Sequence, residues 1–198
     1  MKYQKDIYRR KSLRLKGYNY KQAGAYFVSI CTLNRACLFG NIISEEMVLN
    51  DAGRIVADEW IKTVEIRNNI ELDEWVVMPN HFHGILVINE CRGTARRAPT
   101  VEEFGKPVPG SIPTIIRSFK SAVTKRINEL RNSPGEKVWQ RNYYEHIIRN
   151  ENELKQIREY ITNNPLKWDL DRENPKFGTK ARTVLEPFLQ YGNEPWLS

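Results

Sequence analysis

The sequence predicts an α+β fold, a ferredoxin-like split βαβ sandwich: an antiparallel sheet with helices on one face, plus a further C-terminal helix. Two observations predict it. Runs rich in β-branched and aromatic residues alternate with runs whose apolar residues recur at helical spacing, in the order strand, helix, strand, strand, helix, strand. The middle two strands are separated only by Pro79-Asn80, a turn signal that makes them a hairpin. A length of 198 residues with 40% hydrophobic and 11% aromatic content fits one domain with a core of its own.

The elements follow in order. The run AYFVSICTL, between Gly24 and Asn34, is a buried strand, and 36–50 is a short hairpin-type excursion. Asn50 or Asp51 caps a helix to about Arg67, with Ile55, Val56, Trp60, Ile61 and Val64 on its apolar stripe. ELDEWVVM and HFHGILVI are the hairpin strands. From 90 to 113, Gly and Pro occur throughout without periodicity, which predicts a mobile loop. A second helix over about 114–131 buries Ile115, Ile116, Phe119, Val123 and Ile127 and turns Arg117, Lys120, Lys125 and Arg126 outward. NYYEHIIR is the fourth strand of the sandwich. Asn150 caps the last helix, ENELKQIREYITNN, which Pro165 stops. The tail over 169–198, with Phe177, Phe188 and Trp196 among prolines, is expected to pack irregularly over the core.

Charge is concentrated at one end. Lys2, Lys5, Arg9, Arg10, Lys11, Arg14, Lys16 and Lys21, opposed only by Asp6, account for the whole formal charge of +7, so the chain beyond residue 24 is balanced. The same segment carries Tyr3, Tyr8, Tyr18 and Tyr20. Cations interleaved with aromatic rings suit phosphates and unpaired bases, although a solvated basic tail has the same composition. No apolar run approaches the length of a membrane span, and the N-terminus lacks the apolar stretch of a signal peptide. Three cysteines (Cys31, Cys37, Cys91) without CxxC spacing argue against a disulfide framework or a Cys-ligated zinc, and point to a cytoplasmic protein with Cys31 as a small core residue.

Two of the three histidines fall in His81-Phe82-His83. On a strand, alternate side chains share a face, so both imidazoles project to one side while Phe82 enters the core. Two neutral imidazoles side by side are good ligands for a divalent ion; an exposed strand face carrying two histidines is the plainer alternative. Tyr160 and Asn164 stand one helical turn apart. They could bring a phenol nucleophile and an oxygen ligand to one place, or serve as a packing residue and a helix end. Asn163 competes with Asn164, because helix geometry before Pro165 is uncertain.

Together EWVVMPNHFHGILVI, WQRNYYEHIIRNENEL and EYITNNPLKW, in that order, resemble the single-tyrosine HUH transposases, and most closely the REP-associated tyrosine transposases (RayT). The resemblance runs from about Gly24 to Trp168. It implies a catalytic domain over 25–168 behind a DNA-contacting arm at 1–24. It also implies His81, His83 and Asn164 as ligands of Mg²⁺ or Mn²⁺, and Tyr160 as the nucleophile. The implied reaction is nicking and rejoining of single-stranded DNA at repeat hairpins through a 5′-phosphotyrosine, in a monomer rather than a homodimer. Arg9, Arg10, Lys11, Arg14, Lys16, Arg117, Lys120, Lys125 and Arg126 are the candidates for DNA contact. Tyr143 and Tyr144, with no metal-type residue one helical turn away, are assigned to packing or DNA contact. A relaxase or rolling-circle initiator, and a catalytically silent repeat-binding regulator, are the alternatives.

Overall fold

The computed structural model describes residues 18–90 and 108–176. Arg9, Arg10, Lys11, Arg14 and Lys16, most of the 90–113 loop and the tail beyond 176 lie outside the described residues.

Six strands and three helices follow in the order β1 (Gly24–Cys31), β2 (Gly40–Ile43), β3 (Glu46–Leu49), α1 (Asp51–Glu65), β4 (Ile70–Val77), β5 (His81–Ile88), α2 (Ile112–Leu130), β6 (Tyr144–Ile148) and α3 (Glu151–Thr162). The main sheet is ordered β4-β5-β1-β6 and is antiparallel throughout. With the β2-β3 hairpin set aside as an excursion, this is the order that the split βαβ sandwich requires.

The expected elements differ from the observed ones mainly at their ends. β1 stops at Cys31, and Leu33–Arg35 forms a 3₁₀ turn, where Asn34 and Arg35 take positive φ. α1 starts on Asn50, whose side chain accepts from Gly53 N–H at 2.9 Å. α2 begins at Ile112 because Pro113 is accommodated in the first turn, where a missing N–H costs nothing. α3 ends at Thr162, two residues before the expected boundary, since Pro165 restricts the residue preceding it.

The sheet has two covered faces. On one, Tyr26, Val28, Ile30, Phe82 and Leu86 meet α1 and α2 through Trp60, Ile116, Phe119 and Val123. On the other, Phe27 and Ile85 meet Ile157 and Ile161 of α3. Alternation along β5 therefore sends Phe82 to the larger core and its histidine neighbours toward α3. Tyr20 is 3% exposed within the larger core, so its ring is a packing residue and not a stacking platform. Cys31 corrects another expectation: it is half-buried, with Sγ 3.5 Å from Glu173 Oε2, outside both cores.

Candidate active site

His81 and His83 occupy the first and third positions of β5 and are fully or almost fully buried, at 0% and 3% exposure. Their ring centroids are 4.5 Å apart. The alternative of an exposed histidine pair is thereby removed. His81 Nδ1 lies 2.9 Å from Oδ1 of Asn80, the second turn residue, so that nitrogen carries the proton and Nε2 keeps its lone pair. Asn80 is itself held, donating to the carbonyls of Arg35 at 3.0 Å and Glu173 at 2.6 Å. Burial pushes His81 down to about 4, with Glu173 and Asn164 opposing the fall. His83 is held well below the usual histidine range by burial and then by His81. Both rings are neutral at physiological pH, which is the ligand form.

α3 brings the tyrosine. Asn150 caps it by accepting from Glu153 N–H at 2.9 Å, and Ile157 and Ile161 fasten it to Phe27 and Ile85. Arg158 reaches the irregular stretch of β4, donating Nε–H to Asp73 Oδ1 at 2.8 Å. Between these anchors Tyr160 lies edge-on to Phe27, with centroids 6.1 Å apart, and its hydroxyl is 3.3 Å from His83 Nε2.

Asn164 lies past the end of α3, in a turn where its N–H donates to Ile161 O at 3.2 Å. It is 3% exposed, and its side chain acts on His81. Asn163 is the half-buried helix cap, and nothing ties its side chain to the histidines. Three buried atoms in this pocket have no hydrogen-bond partner: His81 Nε2, His83 Nδ1 and Asn164 Oδ1. Among the described residues, no three His, Cys, Asp or Glu side chains form a metal cluster. The donor set here is two imidazoles and an amide, and buried polar atoms left without partners beside such a set fit a divalent cation.

One neighbour escaped the sequence reading. Residues 168–176 fold back over His81: Trp168 lies 6.0 Å from its ring, and Asp171 Oδ2 lies 3.6 Å from Nε2. Burial raises the Asp171 carboxyl, against the Glu173 N–H and the charge of Arg35. Nothing in the local pattern distinguishes Asp171 from the other acidic residues of the tail.

Apart from Tyr144, which packs on the same side of the sheet as Tyr160, the remaining candidates stand elsewhere. Tyr143 packs on the larger core and donates to Glu145 at 2.6 Å, while Tyr144 packs on Phe27. α2 lies across the sheet from the histidines. There Arg126 is engaged with Glu59 at 2.8 Å and Asp58 at 3.2 Å, and Lys120 donates to the carbonyls of Gln140 and Arg141. Arg117 and Lys125 are exposed. With Lys137 and Arg141, Lys120 and Lys125 edge a groove of about 500 Å³ beside α2.

Among the described residues no helix is long and apolar enough to cross a membrane. No protein-family model matches the chain. A protein of Haemophilus influenzae described only as uncharacterized is 43% identical over 175 residues, spanning 86% of this chain and 96% of its own length. A solved structure of a REP-associated tyrosine transposase bound to a REP hairpin superposes with a TM-score of 0.53 at 22% identity, covering 78% of this chain and 73% of that one. The chain thus belongs to one family with the Haemophilus influenzae protein, and its fold is that of the REP-associated tyrosine transposase.

Proposed function

We propose that the protein is a REP-associated tyrosine transposase that nicks and rejoins single-stranded DNA at a repeat hairpin. The observation that carries this reading is the Tyr160 hydroxyl 3.3 Å from His83 Nε2, in a pocket shared with His81 and the orphaned Asn164 Oδ1. The solved transposase of this fold was bound to a REP hairpin, which supports hairpin DNA as the partner.

His81, His83 and Asn164 would hold Mg²⁺ or Mn²⁺. Such an ion, when bound, polarises the scissile phosphate and offsets the charge that builds on its oxygens. Tyr160 supplies the nucleophile. Its phenolic oxygen forms the new bond to phosphorus, the bond from phosphorus to the 3′-oxygen breaks, and the proton lost from the phenol is balanced by the one gained at the new 3′-hydroxyl. One phosphodiester replaces another, so a 3′-hydroxyl reverses the step without nucleotide hydrolysis. Phe27 and the Arg158–Asp73 contact set the position of Tyr160, while Asn80 fixes which nitrogen of His81 faces the pocket. Arg117, Lys125 and the basic arm at 1–24 are the candidates for contact with the DNA backbone.

The test is incubation with Mn²⁺ and single-stranded DNA carrying inverted repeats from beside the gene, read as a covalent adduct on a denaturing gel. The adduct is expected to vanish with Tyr160→Phe and with EDTA and to survive Tyr143→Phe. An adduct that follows Tyr143 or Tyr144 would overturn the assignment of roles. Hairpin binding without any adduct would return the repeat-binding regulator.

A further inference from the structure

We infer that Asp171, which faces His81 without closing into a cluster with both histidines, moves in as a fourth protein ligand of the divalent ion when His81, His83 and Asn164 hold one. The inference rests on the metal-binding part of the proposed function and adds a residue to it.

The geometry is that of two donors with a gap between them. Asp171 Oδ2 and His81 Nε2 are 3.6 Å apart, beyond hydrogen-bond length, and Nε2 has no other partner although its residue is 0% exposed. Two donors that each stand about 2.1 Å from a shared ion are separated by about 3.0–3.6 Å for ligand angles between roughly 90° and 120°. The octahedral arrangement that Mg²⁺ favours sets about 3.0 Å between neighbouring donors, so from the observed 3.6 Å the Asp171 oxygen closes by about 0.6 Å when an ion is held.

The carboxylate is aimed rather than loose. Asp171 is 11% exposed, and its other oxygen accepts from Glu173 N–H at 2.7 Å, which leaves Oδ2 to face His81. The segment is fastened to the turn before β5: Asn80 donates to Glu173 O at 2.6 Å, and Arg35 pairs with the Glu173 carboxylate at 2.8 Å. That ion pair engages the guanidinium beside Asp171. Asn80 holds the His81 tautomer and the Asp171 segment with the two ends of one amide, so ligand and tail are set by the same side chain.

Charge gives the reason. Two neutral imidazoles and a carboxamide bring no negative charge to a hard dication, whereas Mg²⁺ and Mn²⁺ favour carboxylate oxygen. Asp171 supplies that charge at the pocket's His81 side.

The experiment titrates the full-length protein with Mn²⁺ and follows free Mn²⁺ by electron paramagnetic resonance, with thermal unfolding as the fold control. Asp171→Asn keeps the acceptor for the Glu173 N–H and changes only the atom facing His81. Asp171→Ala cannot place an amide against Nε2 and reads the same loss if the first variant fails to fold. Both are expected to weaken Mn²⁺ binding at least tenfold, and His83→Ala to abolish it. Unchanged or tighter Mn²⁺ binding in a folded Asp171 variant, with His83→Ala still abolishing it, overturns the role of Asp171 and leaves the three-ligand reading intact. Mn²⁺ binding that His83→Ala leaves untouched overturns the metal site itself.

Discussion

Gly84 follows His83 on β5 and faces the larger core, where its missing side chain makes room for an indole. A Cβ at this position would lie 2.7 Å from Trp60 Cζ2 and 2.9 Å from Phe82 Cζ. Carbon atoms pack at about 3.5–4.0 Å, so Gly84→Ala demands a shift of roughly 1 Å from rings that are both 0% exposed. Neither ring has an easy retreat: Trp60 is held between Phe82 and Phe119, with centroids at 4.6 and 5.2 Å. Overpacking of this kind costs about 1–3 kcal/mol. At roughly 2–4 °C per kcal/mol for a chain of this size, a cost of about 2 kcal/mol lowers the Tm by about 4–8 °C. Circular dichroism melts of the parent, Gly84→Ala, Trp60→Phe and the double variant test the cause as well as the size. The smaller ring at position 60 should recover about 1 kcal/mol of the alanine's penalty as coupling between the two sites. A Tm for Gly84→Ala within about 1 °C of the parent, or a strictly additive cycle, would refute the argument that Trp60 dictates the glycine.

Two other outcomes are expected. Arg158 holds the Asp73 carboxyl below its usual range, against burial and with help from the Glu74 N–H. The folded value lies beneath the unfolded one of about 4, so the contact's stabilisation is complete above that pH and is lost as pH falls through the folded value. Arg158 is 44% exposed, which keeps the contribution below about 1 kcal/mol. Urea midpoints of the parent and Asp73→Asn should differ slightly at pH 7 and converge in acid; a gap that widens in acid would contradict the pairing. At the end of α3, Asn164→Ala should weaken Mn²⁺ binding at least tenfold, and Asn163→Ala should leave it unchanged. Equal losses from the two variants in the Mn²⁺ titration would contradict the distinction drawn from their burial.

The order of elements and the residues that share a face are legible in the amino-acid chain alone. The period of two along His81-Phe82-His83 and the period near four linking Ile157 to Ile161 are local consequences of strand and helix geometry, legible without coordinates. The resemblance carried by the three quoted segments singled out His81, His83, Tyr160 and Asn164 as a set, and the folded chain brings all four into one pocket. The remainder follows from how the elements pack. The pleat allowed either face of the sheet to receive α3; only the docking of Ile157 and Ile161 on Phe27 placed Tyr160 beside the histidines. The side chain of Asn163 or of Asn164 could have faced the pocket until the turn before Pro165 buried Asn164. The basic face of α2 looked uniform along the helix, yet α1 lies close enough to engage Arg126 through Asp58 and Glu59. Asp171 was invisible because it approaches His81 across 90 residues of chain, through contacts from Asn80 and Arg35 that no local periodicity encodes. Spacing within one element repeats along the sequence, whereas meetings between elements depend on how whole faces pack, and that is settled only when the chain has closed on itself.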